Sequence, residues 1–174
     1  MIKTIDDFLN DLELNFLTNY AKQNIDLYTL KKLGNAFINF NCKSGNTSDM
    51  KSILGVQWFS ILIKIKKTLK DIINSDLLLY STKISVTTDN YIIQKHLDDN
   101  VHGKSLDKSY TCIIYITKNW EESMGGLWNG GDEYIVPYYN RLILYSRDIE
   151  HSVTPSLSTW SDNRTILLTS WCNY

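Results

Sequence analysis

The segment Gln94-Lys95-His96-Leu97-Asp98-Asp99-Asn100 places a histidine and an aspartate two positions apart, with one apolar residue between them. On an extended strand, residues i and i+2 point to the same face of the sheet. An imidazole nitrogen of His96 and a carboxylate oxygen of Asp98 can therefore converge on one point. That point would suit a metal ion if a third ligand arrives from elsewhere in the chain. The alternative is a strand that carries two solvated polar residues.

A candidate third ligand lies downstream, at His151. It follows the apolar segment 141–146 and opens the segment His-Ser-Val-Thr-Pro. The other histidine, His102, lies in a polar segment and is predicted to be a surface residue. Two histidines and one carboxylate on one face of a metal leave its other positions open, and this arrangement suits non-haem Fe(II) and oxygen chemistry.

An arginine, Arg164, opens a further apolar segment that is predicted to be a strand. A buried guanidinium needs an anionic partner, because an unpaired buried charge is costly. A carboxylate that accepts two parallel hydrogen bonds is the natural partner. The alternative is a salt bridge to one of the chain's own acids, of which Asp162 is the nearest in sequence.

Length and charge exclude several classes of protein. A chain of 174 residues is long enough for one domain with a sizeable core. The 18 Lys and Arg against 19 Asp and Glu give a net charge of −1 without a basic stripe, so we expect no nucleic-acid or membrane partner. Cys42, Cys112 and Cys172 form no Cys-x-x-Cys pair, which argues against a disulfide framework or a zinc knuckle. Without a signal-peptide pattern, we expect a soluble, cytoplasmic protein.

Residues 1–76 are predicted to be mainly helical. A first helix would be capped by Thr4, and a second would run from residues 48–49 to about Asn74, because apolar residues recur at helical spacing in both. Residues 39–49, between them, are rich in turn formers and are predicted to form a loop. The apolar stripes are Ile5, Phe8, Leu9, Leu12 and Phe16 in the first helix, and Leu54, Trp58, Ile61, Leu62, Ile65, Leu69 and Ile72 in the second.

From residue 77 onward the pattern changes to short strands. They are rich in Ile, Tyr, Thr and Leu and are separated by clusters of Gly, Asn and Asp, which is typical of an antiparallel sandwich or barrel. The predicted strands are 77–80, 83–86, 91–97, 110–117, 127–128, 134–136, 141–146 and 164–172.

Five segments, in this order, resemble the Fe(II)/2-oxoglutarate-dependent dioxygenases, and most of all their prolyl hydroxylase branch. The resemblance covers roughly residues 77–173. It implies an α+β fold, with a double-stranded β-helix (jelly-roll) core of about residues 77–174 and N-terminal supporting helices of about 1–76, in a single domain. The segments are His96-Leu97-Asp98, 110–120, 125–127, 151–155 and Arg164.

The resemblance also implies roles for individual residues. His96, Asp98 and His151 would be the catalytic ligands of Fe(II), and Arg164 would hold the distal carboxylate of 2-oxoglutarate. Tyr115 would direct its hydroxyl to the same carboxylate, although a core tyrosine with a satisfied hydroxyl remains the alternative. O2 would be the second co-substrate.

The implied activity is hydroxylation of a C–H bond with release of succinate and CO2. The expected substrate is a prolyl residue in a protein or peptide. The alternatives are a free amino acid or small metabolite, a metal-dependent enzyme that does not use 2-oxoglutarate, or a catalytically silent jelly-roll binding module. Segments 99–109 and 39–49 are candidates for the lid and the substrate rim. One departure from the family pattern is Val86, which occupies the region where a second tyrosine is often found.

Overall fold

The computed structural model describes residues 1–26, 29, 33, 35–42, 45–88, 91–98, 108–156 and 164–173. The predicted surface residue His102, the possible ion-pair partner Asp162, and residues 99–107 of the predicted lid lie outside these ranges. Neither of the two long helices within them is long and apolar enough to span a membrane.

The described residues form two α-helices, ten strands and a short 3-10 helix at Glu122–Met124. The helices are α1 (Asp11–Asn24) and α2 (Thr47–Ile73). The strands are β1 (Ile2–Ile5), β2 (Asn35–Asn41), β3 (Leu77–Thr87), β4 (Ile93–His96), β5 (Ser109–Tyr115), β6 (Trp128–Gly130), β7 (Glu133–Ile135), β8 (Leu142–Ser146), β9 (His151–Val153) and β10 (Arg164–Asn173).

The prediction of a helix capped by Thr4 is wrong. Residues 2–5 form β1, which pairs antiparallel with β8, so their backbone groups enter a sheet. The helix begins later because Asn10 and Glu13 form a capping box, in which each side chain accepts a hydrogen bond of 2.9 Å from the backbone N–H of the other. Leu12, assigned to the buried stripe, is consequently 82% exposed.

The second predicted helix is confirmed to within about one residue at each end. The Asn46 side chain caps the start of α2, and Asn74 ends it in the left-handed conformation. Gly55, with a φ of +83°, interrupts the helix after its first turns. Five residues of the predicted stripe are fully buried and pack on the sheet: Trp58, Ile61, Leu62, Ile65 and Leu69.

The prediction of a loop over residues 39–49 is wrong at both ends. Residues 35–41 form β2, which pairs with β3, and α2 begins at Thr47. Asparagines at positions 35, 39 and 41 hide the strand, because they suggest turns when read without the sheet. Every second residue of β2 faces the helices: Ala36 is buried in the hydrophobic cluster beneath them, and Ile38 and Phe40 pack on that cluster.

Two antiparallel sheets face each other, as the predicted double-stranded β-helix requires. The larger has the strand order β1-β8-β5-β10-β3-β2, and the smaller has the order β4-β9-β6-β7. Both helices pack on the outer face of the larger sheet through one hydrophobic cluster. A second cluster fills the space between the sheets: Ile113, Tyr115, Trp128, Ile135, Ile143, Tyr145, Val153 and Ile166.

The strand register orders the inner face of the larger sheet, because residues directly opposite each other share a face. Thr111 of β5 lies opposite Tyr145 of β8 and Ser170 of β10. Four residues along β5, Tyr115 lies opposite Ile166, close to the start of β10 at Arg164. This face of the larger sheet, the inner wall, therefore has a polar end at Thr111, Tyr145 and Ser170 and a cationic end at Arg164.

Candidate active site

The three predicted metal ligands meet at the edge of the smaller sheet. His96 ends β4 and lies opposite His151, the first residue of β9, and Asp98 follows two residues later. Oδ1 of Asp98 lies 3.9 Å from Nε2 of His96 and 4.0 Å from Nε2 of His151. One ligand atom from each residue lies within 4.8 Å of the other two, so the three donors surround one point.

Both imidazoles are oriented by backbone carbonyls. Nδ1 of His96 lies 2.8 Å from the Gln94 carbonyl oxygen, and Nδ1 of His151 lies 3.1 Å from that of Ile149. A carbonyl can only accept, so each Nδ1 carries the proton and each Nε2 presents its lone pair. Metal-binding histidines are commonly fixed in this way.

The second oxygen of Asp98 is held by the opposite sheet. Oδ2 accepts hydrogen bonds from the Thr111 hydroxyl at 2.9 Å and from the Tyr145 hydroxyl at 3.1 Å. Nε of Arg147 lies 3.9 Å from the same oxygen, and its guanidinium donates to Ser170 at 3.0 Å. Because Oδ2 is engaged, Oδ1 is left as the oxygen that faces the histidines.

Burial shifts the pKa values of His151 and Tyr145 at this site. It lowers the pKa of His151, an effect that the Ile149 carbonyl and the Asp98 carboxylate oppose in part. Burial, reinforced by Asp98, raises the pKa of Tyr145 well above its ordinary value, so its phenol is a hydrogen-bond donor. Two imidazoles that each present Nε2 and one carboxylate form a donor set that fits Fe(II).

A cation and a phenol lie at the other end of the inner wall. Arg164 is 5% exposed, and its guanidinium carbon lies 5.3 Å from the centroid of the Tyr115 ring. Nε of Arg164 and the Tyr115 hydroxyl are both buried, and neither makes a hydrogen bond of good geometry among the described residues. Burial raises the pKa of Tyr115, an effect that the nearby Arg164 opposes. Leaving such donors unpaired costs about 1–3 kcal/mol each. A carboxylate between them would satisfy both groups.

The alternative for Arg164, an ion pair with one of the chain's own acids, is not found among the described residues. For Tyr115, the alternative of a hydroxyl satisfied by a hydrogen bond of good geometry is likewise not found there, although Arg164 lies close enough to interact with it. Between the two ends of the wall lie aliphatic side chains, including Ile113, Ile143 and Ile166. The wall thus suits a short dicarboxylate with an apolar middle.

The glycine pair Gly125-Gly126 lets the chain pass close to Arg164. Both residues have positive φ, +67° and +66°. A Cβ on Gly125 would lie 2.1 Å from the Pro155 carbonyl oxygen, and one on Gly126 would lie 3.4 Å from Cδ of Arg164. The backbone at these two glycines therefore approaches its neighbours closely.

Val86 and Lys83 of β3 lie on opposite faces of the larger sheet. Val86 belongs to the cluster under the helices, so its side chain faces away from the wall. Lys83 lies opposite Leu168 and is half-buried, without an ion pair among the described residues. Its ammonium nitrogen lies 5.4 Å from the centroid of the exposed Phe37 ring. Burial lowers the pKa of Lys83, an effect that Asp98 opposes.

Sequence reasoning missed Thr111, Tyr145 and Arg147 as partners of Asp98. Each lies on a different part of the chain from Asp98, and only the register of β5 and β8 brings them to it. The one local signal was the alternation Ile143-Leu144-Tyr145, which places Tyr145 on the same face as a core isoleucine.

The comparisons with known proteins agree with this geometry. A family model described as the 2OG-Fe(II) oxygenase superfamily matches residues 82–173, more than half of the 174-residue chain. No curated protein sequence matches.

Several solved structures share the fold at low sequence identity. One is the viral collagen prolyl hydroxylase of Paramecium bursaria Chlorella virus-1 in its 2OG complex, with 17% identity and a TM-score of 0.67 over 99% of this chain and 96% of that chain. Another is a prolyl hydroxylase from Trichoplax adhaerens in complex with a peptide fragment of the hypoxia inducible factor, with 14% identity, a TM-score of 0.65 and coverage of 99% and 83%. A third is the carbocyclase SnoK from nogalamycin biosynthesis, with 11% identity, a TM-score of 0.71 and coverage of 99% and 79%.

Proposed function

The chain belongs to the 2OG-Fe(II) oxygenase superfamily, and from this premise we propose that it hydroxylates a prolyl residue in a protein or peptide. It uses Fe(II), 2-oxoglutarate and O2. The observation that carries the proposal is the convergence of His96, Asp98 and His151 on one point, at the end of a wall that also carries Arg164.

His96, His151 and Asp98 would hold the metal through the two Nε2 atoms and one carboxylate oxygen. When bound, Fe(II) together with 2-oxoglutarate supplies the activation of O2 that allows oxygen to enter a C–H bond. The contribution of this chain is to orient the donors, which it does through the Gln94 and Ile149 carbonyls. Burial of His151 also limits the access of water to the site.

Arg164 and Tyr115 would bind the distal carboxylate of 2-oxoglutarate. Both present buried donors that make no hydrogen bond of good geometry among the described residues, and a carboxylate accepts from both. Gly126 keeps the space beside Arg164 free of a side chain. The aliphatic side chains between the two ends would contact the methylene groups of the co-substrate.

The catalytic unit would be a single domain spanning residues 1–174. Helices α1 and α2 support the larger sheet from outside. The N-terminal part contributes more than helices, because β1 and β2 form the two edges of the same sheet. Separation of residues 1–76 from the rest would therefore remove both edge strands.

A peptide substrate is supported by the uncovered part of the inner face. The inward-facing residues of β2 and β3 include Asn35, Phe37, Asn39, Lys83 and Ser85, and Phe37 is 57% exposed. Asn35 is hydrogen-bonded to Ser85 and Tyr91, and Nδ2 of Asn39 donates to Asn41. The amide oxygen of Asn39 and the exposed Phe37 ring can contact an extended peptide. The Trichoplax adhaerens neighbour, which shares this fold, was solved with a peptide.

A second candidate substrate is a small molecule that carries a carboxylate. The observation in its favour is Lys83, an ammonium on the inner face that forms no ion pair among the described residues. A free amino acid would offer a carboxylate to this cation.

The discriminating experiment incubates the protein with Fe(II), 2-oxoglutarate and either proline-containing peptides or free amino acids. Mass spectrometry then measures the addition of one oxygen atom, alongside stoichiometric succinate. We expect oxygen to enter a prolyl residue of a peptide. Oxygen found only in free amino acids would contradict the peptidyl substrate and leave the oxygenase assignment standing.

A further inference from the structure

We propose that Tyr145 is a positioning residue of the metal centre. Its hydroxyl fixes Asp98 so that one carboxylate oxygen alone faces the metal, and it holds His151 in place until the metal binds. This inference rests on the proposed ligand role of His96, Asp98 and His151.

The contacts of Tyr145 are made with two of the three proposed ligands. Its hydroxyl oxygen lies 3.1 Å from Oδ2 of Asp98 and 3.3 Å from Nε2 of His151. Its ring centroid lies 4.8 Å from that of His151 and 5.0 Å from that of Trp128. The side chain is 1% exposed, so water does not compete for the hydroxyl.

One hydroxyl proton is thus shared between two acceptors. Because Nδ1 of His151 donates to the Ile149 carbonyl, Nε2 holds a lone pair and can accept from Tyr145. A metal ion bound at Nε2 takes that lone pair, and Asp98 is then the remaining acceptor of the Tyr145 proton. Metal binding should therefore strengthen the contact that fixes Asp98.

The hydroxyl, rather than the ring, carries the proposed role. Thr111 also donates to Oδ2, and the Arg147 guanidinium lies near it, so this oxygen has two hydroxyl donors and a cation. Without the Tyr145 donor, Oδ2 is less firmly held and can rotate toward the metal as a second ligand atom. The number of carboxylate oxygens on the metal would then change.

The test compares Tyr145→Phe with Tyr115→Phe, which removes the hydroxyl of another buried tyrosine in the same cluster. Co(II) is titrated into the metal-free proteins, with calorimetry for affinity and visible absorption for coordination. Loss of an outer partner of a metal ligand typically costs 10–100-fold in affinity. We expect Tyr145→Phe to bind Co(II) about tenfold more weakly, with an altered absorption spectrum. Tyr115→Phe should match the wild type in both measurements.

A Tyr145→Phe protein with the wild-type Co(II) affinity and spectrum would overturn the proposal. Cooperative melting of the metal-free variant checks that the fold is kept, and Tyr145→Met serves as a second variant without the hydroxyl. If neither variant folds, the role is packing and the proposal is wrong. Turnover of 2-oxoglutarate by the wild type is measured in parallel. Co(II) binding without turnover would contradict the proposed function, whereas turnover with unchanged Co(II) binding by Tyr145→Phe would contradict only the role of Tyr145.

Discussion

His96 lies directly opposite His151 in the antiparallel pair of β4 and β9, with the two ring centroids 4.5 Å apart. This register brings together candidate ligands that are far apart in the sequence. A shift of β9 by one residue would turn the His151 side chain to the other face of the sheet. The candidate metal site is therefore a property of strand pairing as much as of the His96-Leu97-Asp98 motif.

Arg164→Ala is expected to weaken 2-oxoglutarate binding about a hundredfold. A charge-assisted contact contributes roughly 2–3 kcal/mol, and about 1.4 kcal/mol corresponds to a factor of ten. Tyr115→Phe should act in the same direction with a smaller effect. The measurement is the apparent KM for 2-oxoglutarate in the turnover assay. Arg141→Ala is the control, because that arginine pairs with Asp6 instead. An unchanged KM for Arg164→Ala would show that Arg164 does not bind the co-substrate.

Gly126→Ala is expected to raise the KM for 2-oxoglutarate several-fold. Its Cβ would press on Trp120 and on Cδ of Arg164, at 3.3 and 3.4 Å. Gly131→Ala is a matched control, since it also has a positive φ, +59°, but its Cβ would meet only Ile2, at 3.8 Å. Both variants incur the strain of the left-handed conformation, about 1 kcal/mol. Equal KM values for the two variants would contradict the placement of Arg164 beside the co-substrate.

The stability of the metal-free protein should fall as the pH drops below about 6.5. Burial lowers the pKa of His151 from 6.5. Between the lowered value and 6.5, His151 is protonated in the unfolded chain but largely unprotonated in the folded chain. Stability therefore rises with pH between the lowered and the ordinary pKa. Melting temperatures measured across this window should fall less steeply for His151→Gln than for the wild type. Parallel slopes would show that His151 does not contribute.

Trp58→Ala is expected to cost about 3–5 kcal/mol in the free energy of unfolding. Trp58 lies on the buried face of α2, is fully buried, and donates a hydrogen bond to Thr82 in β3. Leu12→Ala, at a position that is 82% exposed, should change this free energy by less than about 0.5 kcal/mol. Denaturant titrations of the metal-free proteins provide the comparison. A large loss in Leu12→Ala would contradict the position at which α1 begins.

Local patterns were sufficient to predict part of this fold. The stripe from Trp58 to Leu69 defined α2, and continuous apolar residues defined β5, β8 and β10. The prediction for the N-terminal region was wrong because the apolar residues before Leu12 also fit helical spacing. The pairing of β1 with β8 involves residues far away in the sequence, which spacing alone cannot report.

The candidate site was predictable in its ligand types and less so in its supporting contacts. The spacing of His96 and Asp98 indicated them as candidate ligands. His151 was preferred as the third because it opens the segment His-Ser-Val-Thr-Pro, whereas His102 lies in a polar segment. The donors to Oδ2 of Asp98, Thr111 and Tyr145, depend on which strands face each other across the interior. No spacing in the sequence encodes that relationship.

The most direct test of the account is the substrate-free turnover of 2-oxoglutarate to succinate and CO2 in the presence of Fe(II) and O2. The wild type should form succinate in an Fe(II)-dependent manner. His96→Ala and Asp98→Ala should abolish it while keeping the wild-type circular dichroism spectrum, because each removes one of three donors that converge within 4.8 Å. Normal turnover in both variants, or no turnover by the wild type, would contradict the central claim that these residues form the iron site of a 2-oxoglutarate oxygenase.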